Sequence, residues 1–212
     1  MSTKTQNKQS GIGITGLNDD IDLSPMTEKI AEFRGALTSG EPDEVNPAIE
    51  TVEEMEPEAR AEMFDDAFEM CLDLYEDGDG YQRQSVVRFI RELAPRRKLF
   101  AVVKQADSEA ELSGELIAGD TEGALDRLQA FYLAALEDDD GRVRRAAIKG
   151  LKSLTVAYQM AGIENRPDEI LAEINEMMPD ATGKKLKHLQ QARHNVRLSK
   201  GPTLDQMLSG GE

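Results

Sequence analysis

The chain has 212 residues, with 25 basic against 41 acidic side chains and a formal net charge of −16. It holds one cysteine, Cys71, two histidines, His188 and His194, and no tryptophan, which excludes a disulfide framework and speaks against a metal site built from Cys and His. So negative a surface disfavours binding of the whole molecule to nucleic acid or anionic lipid.

Residues 1–24 are polar and rich in Ser, Thr, Asn, Gln and Gly. They contain no apolar run of signal-peptide type, and no later segment reaches membrane-spanning length. The expectation is a soluble, cytoplasmic protein with no membrane contact. Within this tail, Gly11-Ile12-Gly13-Ile14-Thr15-Gly16 fits a G-x-G-x-x-G pattern. A dinucleotide site needs a strand before the glycines and a helix after them, and the surrounding polar and acidic sequence supplies neither. No cofactor is expected.

A first helical pair is predicted at Pro25 to Thr38 and Asp43 to Met55, with Pro47 near the start of its second helix, where proline is tolerated. The next helix begins at Pro57 and carries Met63, Phe64, Ala67, Met70, Cys71 and Leu74 at the spacing of a buried stripe. Cys71 therefore reads as a small buried hydrophobe rather than a nucleophile. A partner helix runs from about Gly80 to Leu93, and Pro95 stops it. Shorter helices are predicted at Arg96 to Lys104 and Ser108 to Ile117, followed by Thr121 to Glu137, Arg142 to Ala161, Arg166 to Met178 and Gly183 to Leu198. That makes about ten helices in a domain spanning 25–198, with a flexible tail at 199–212. Nothing alternates in the manner of a strand, so the fold class is all-α.

One hairpin occurs twice, 61 residues apart. Cys71 to Gly80 aligns with Tyr132 to Gly141, each copy running from an apolar helix end into an acidic turn. Beyond the turn, Arg83, Val86, Val87, Ile90 and Leu93 fall on Arg144, Ala147, Ile148, Leu151 and Leu154. The turns Asp77-Gly78-Asp79-Gly80 and Asp138-Asp139-Asp140-Gly141 lack the bidentate glutamate of a calcium loop, and they read as helix caps. The stretch Leu136 to Leu151, with aspartate in the turn and Val143-Arg144 opening the second helix, resembles the HEAT-repeat consensus. Asp77 to Leu93 resembles it more loosely, with Gln82 in place of the valine, and 61 residues exceeds a HEAT unit of about 40. The resemblance implies a right-handed α-solenoid of stacked antiparallel hairpins. It further implies that Arg83 and Arg144 pair with turn aspartates of neighbouring repeats, and that second helices line a concave face.

Charge is partitioned along the chain. Glu53 to Asp79 holds twelve acids and one base, Arg60, whereas Gly80 to Lys104 holds seven bases and one acid, Glu92. The contrast repeats between 120–140 and 141–153, and Gly183 to Lys200 carries six bases and no acid. Acidic first helices can simply neutralise basic second helices. If they do not, a basic face lies on an acidic body. Its candidate partner-binding residues are Arg88, Arg91, Arg145, Lys149, Lys152, Lys184, Lys185, Lys187, Arg193 and Arg197. No nucleophile motif or Walker sequence occurs, so no catalytic or metal-binding residue is assigned and an enzyme is not expected. The expected function is a non-enzymatic interaction module, a scaffold holding an acidic protein partner on that face. Nucleic-acid binding by the same face and the 184–200 helix is the alternative, disfavoured by the scarcity of aromatics for stacking. Eleven lysines in so acidic a chain also resemble proteins of salt-accumulating haloarchaea.

Overall fold

The structure, a computed structural model, describes residues 25–94 and 111–200. Among them are eight helices and no strand: α1 (Pro25–Ser39), α2 (Pro42–Glu54), α3 (Pro57–Asp77), α4 (Gly80–Leu93), α5 (Glu111–Glu137), α6 (Gly141–Met160), α7 (Arg166–Met177) and α8 (Gly183–Ser199). The N-terminal tail with its glycine pattern, the expected helix at 96–104 and residues 201–212 lie outside the described residues. Most helix ends fall within one residue of the sequence reading, and one joint differs. Residues 111–117 of the helix expected at 108–117 and the helix expected at 121–137 form one helix, α5, because glycines weaken a helix by about 1 kcal/mol each without ending it, and no proline intervenes; residues 108–110 lie outside the described residues. Ser199, expected outside the last helix, ends α8, and the Lys200 amide bonds to the Val196 carbonyl. No helix of the described residues is long and apolar enough to cross a membrane.

Neighbouring helices pair as hairpins, α1 with α2, α3 with α4, α5 with α6 and α7 with α8. The second helices also pack side by side, α2 on α4, α4 on α6 and α6 on α8. Behind them α1 packs on α3 and α5 on α7, while Phe68 of α3 meets Phe131 of α5 edge-on, centroids 6.0 Å apart. Two layers of four helices result, and the core lies between them. The repeated stripe is in that core: Val86, Val87, Ile90 and Leu93 of α4, and Ala147, Ile148, Leu151 and Leu154 of α6, are all buried. Burying each large aliphatic side chain is worth about 1.5–3 kcal/mol. Cys71 is fully buried, and that burial pushes its thiol well above the ordinary range.

The turns fold as the sequence suggests. Asp79 caps α4, accepting from the Tyr81 and Gln82 amides at 2.7 and 3.0 Å, while the Gln82 side chain accepts from the Asp79 amide at 2.8 Å. Gln82 also donates to the Thr38 carbonyl of the preceding hairpin. The residue that departs from the HEAT consensus thus closes a capping box and ties two turns together. Asp140 caps α6 through the Arg142 amide at 2.7 Å.

Gly150 of α6 lies against the face of Tyr132, where an added Cβ would stand 2.5 Å from the ring. Tyr132 is buried and cannot swing aside. Gly150→Ala should therefore lower the free energy of unfolding by about 1–3 kcal/mol, read as a reduced urea midpoint. Gly123→Ala on α5, which meets nothing within 4 Å, should raise it by about 0.5–1 kcal/mol.

Candidate partner-binding surface

The surface is set in register by a ladder of polar contacts along the stacked turns. Arg83 of α4 reaches into the next hairpin's turn, its Nε and Nη2 donating to the two oxygens of Asp138 at 2.8 and 3.1 Å. Tyr75 donates its hydroxyl to the same carboxylate at 2.7 Å, and the Asp140 amide adds a further bond at 2.7 Å. Burial alone would raise the Asp138 carboxyl, but the bonds from Arg83, the Asp140 amide and Tyr75 outweigh it and hold it below the ordinary carboxylate range. Burial and the bond to that carboxylate push the Tyr75 phenol up. Arg144, at the equivalent place in α6, bonds instead to its own turn, at the Asp138 carbonyl, and donates through Nε to His188 Nδ1 of α8 at 3.0 Å. Gly80 permits the closest approach between turns, since a Cβ there would fall 2.0 Å from Asp140 Oδ2.

On this frame the second helices share a register that the 61-residue alignment does not reveal. They begin at Pro42, Gly80, Gly141 and Gly183, at steps of 38, 61 and 42 residues. Counted from those starts, none of the second, fifth, ninth and twelfth residues of each helix is buried. In α2 they are Asp43, Asn46, Glu50 and Glu53; in α4, Tyr81, Gln84, Arg88 and Arg91. In α6 they are Arg142, Arg145, Lys149 and Lys152, and in α8, Lys184, Lys187, Gln191 and His194. The sixteenth residues of the two long helices, Val156 and Leu198, are apolar and 41% and 70% exposed.

This register sorts the ten candidate residues. Arg145, Lys149 and Lys152 form one exposed stripe on α6, with Lys184 and Lys187 on the neighbouring helix, and none has a carboxylate partner among the described residues. Arg197 is also exposed, but nine residues from His188 it falls on the opposite side of α8, away from α6. The other four are engaged. Arg88 donates to Asn46 Oδ1 at 2.9 Å, Arg91 pairs with Glu92 at 2.6 Å, Lys185 with Glu137 at 3.4 Å, and Arg193 donates to Asn175 at 3.3 Å. Two further residues of the face were not among the ten candidates. Tyr81 is 61% exposed, and the Arg142 guanidinium lies over its ring, 3.6 Å from the centroid. Arg142 is also bound to Asp140, whose carboxyl those bonds draw down to about 2.

Neutralisation across hairpins therefore accounts for part of the positive charge only. Acids on the first helices are met mainly by bases within or between first helices, such as Arg127 of α5 with Asp65 and Glu69 of α3, and Arg166 of α7 with Asp126 of α5.

His188 lies beneath this surface. Burial, and then the charges of Arg144, Arg145 and Lys184, lower its pKa. The unfolded chain, titrating near ~6.5, takes up the proton first, so falling pH favours unfolding. The stability conferred by neutral His188 is complete above about pH 7 and is lost below ~6.5 until the folded imidazole is also protonated. The urea midpoint should fall between pH 7.5 and 5.5. His188→Gln, which keeps an acceptor for Arg144, should flatten that dependence.

Comparison with protein-family models, with curated proteins and with solved structures finds no match to this chain.

Proposed function

We propose that the protein is a non-enzymatic interaction module, a short right-handed HEAT-like solenoid whose row of second helices forms a concave face for an acidic protein partner. The observation that carries this reading is the α6 stripe: Arg145, Lys149 and Lys152 are exposed, aligned at i, i+4 and i+7, and free of carboxylates among the described residues. Cations that only balanced the acids of the body would be paired with them, as Arg83, Arg127 and Arg166 are with acids of neighbouring hairpins. Val156 and Leu198, at equivalent ends of their stripes, offer apolar contact beside the cations, which suits an amphipathic acidic segment. A single-stranded nucleic acid would call for stacking surfaces, and Tyr81, the exposed aromatic of this face, has Arg142 over its ring.

The test is capture of partners from source lysate at native ionic strength, with and without nuclease, followed by affinity measurement with the purified partner. A protein that remains bound after nuclease treatment is the expected outcome. Arg145→Glu with Lys149→Glu should weaken its binding about tenfold or more at low salt. Binding that withstands this double reversal would remove the α6 stripe from the interface, and bound material that disappears with nuclease would reassign the face to a polyanion.

A further inference from the structure

We infer that the segment held by this face is bipolar, with an acidic stretch over α6 and α8 and a basic stretch over α2. The inference rests on the proposed protein-binding role and adds the charge order of the partner. At the open positions the row of helices changes sign. α6 presents Arg142, Arg145, Lys149 and Lys152, whereas the same positions of α2 present Asp43, Glu50 and Glu53 around Asn46. These three carboxylates are exposed, and no basic group among the described residues pairs with them. Between them α4 has Arg91 paired with its own Glu92, while Arg88 keeps its charge and donates to the neutral amide of Asn46 on α2.

The rows also lie side by side. The Arg88 contact with Asn46 joins the stripes of α4 and α2, and the guanidinium of Arg142 over Tyr81 joins those of α6 and α4. Packed helices stand about 8–10 Å apart, which places the centres of opposite charge on α2 and α6 about 16–20 Å from each other. An extended chain covers that distance in about 5–6 residues, and a helix in about 11–13. A polyanion of uniform charge gains over α6 and is repelled over α2, whereas a segment with separated acidic and basic stretches gains at both ends.

The experiment is fluorescence anisotropy on the full chain at about 50 mM salt, where surface charge is incompletely screened. The probes are a labelled peptide of four Glu, a six-residue Gly/Ser spacer and four Lys, made in both chain directions, a counterpart with Ser replacing Lys, and an oligothymidylate. The bipolar peptide, in at least one direction, should bind about three- to tenfold more tightly than the acidic one, as expected for two or three exposed ion pairs. Glu50→Lys with Glu53→Lys should abolish that preference, and Arg145→Glu with Lys149→Glu should weaken both peptides, with circular dichroism showing each variant folded. Equal affinities in the parent chain, or a preference that survives the α2 reversal, would overturn the bipolar inference and leave the basic face standing. Failure of both peptides to bind, or their indifference to the α6 reversal, would overturn the underlying reading as well. Tighter binding of the oligothymidylate than of the bipolar peptide would do the same.

Discussion

The carboxylate of Asp138 is the point on which the register of the stack depends. It stands in the turn of the third hairpin, yet it is bound by Arg83 and Tyr75 of the second, across a sequence separation of 55 and 63 residues. Apolar burial between α4 and α6 supplies most of the attraction between these hairpins, but such attraction is non-directional and tolerates sliding of one helix along another. A bidentate guanidinium and a phenol meeting one largely buried carboxylate do not tolerate it, because any slip would leave a desolvated charge unpaired. The alignment of Arg88 and Arg91 with Lys149 and Lys152 on the open face follows from that fixed register.

The two layers handle charge differently, and the difference leaves an unpaired basic stripe on α6. α3 carries eight acids against one arginine, and Arg60 is not available to neutralise its exposed face, since its guanidinium turns inward to the Glu92 and Met55 carbonyls. The acids of α3 are met instead from outside, by Arg34 of α1 and by Arg127 of α5, whose guanidinium also lies over the Phe68 ring at 4.6 Å. Because these pairings run along the first-helix layer, α6 keeps all five of its bases with no acid in its own sequence. Two of the five, Arg142 and Arg144, are engaged in turns and helix contacts, and the remaining three make the stripe.

Much of this was legible in the sequence. Proline starts, Asp-Gly turns and a 3.6-residue apolar period locate the helices, and the repeated stripe of Val86 to Leu93 and Ala147 to Leu154 identifies two core helices correctly. The joint at Arg83 was legible through resemblance, whereas the partner of Arg144 was not, since in the fourth hairpin it is His188, within α8, and not a turn aspartate that meets it. The full register was hidden for a simpler reason. Steps of 38, 61 and 42 residues defeat a search at one fixed period, and the signal that survives is short: Asp79-Gly80, Asp140-Gly141 and Thr182-Gly183, each a cap residue followed by the first residue of a helix. Apart from Arg83 and Arg144, which the resemblance assigned to turn contacts, nothing in the sequence told paired second-helix bases from free ones. Which of them are free depends on neighbours remote in sequence, such as Asn46 beside Arg88 and Asn175 beside Arg193.

The net charge and the basic stripe act over different distances, and ionic strength selects between them. At about 0.01 M salt the Debye length is about 30 Å, comparable to the whole body, so an approaching acidic partner senses the net charge of −16 as well as the stripe. At physiological salt the length falls to about 8 Å, less than one helix spacing, and the acidic first-helix layer is largely hidden behind the second. Near 1 M it is about 3 Å, and only groups in direct contact with Arg145, Lys149 and Lys152 count. An acidic surface therefore does not preclude an acidic partner. It discourages association wherever the long-range field prevails and leaves recognition to the open face wherever salt removes that field. A sign change built into the face itself, from α2 to α6, is effective in that screened regime, because its two centres of charge are each read by contact rather than through the field of the whole molecule.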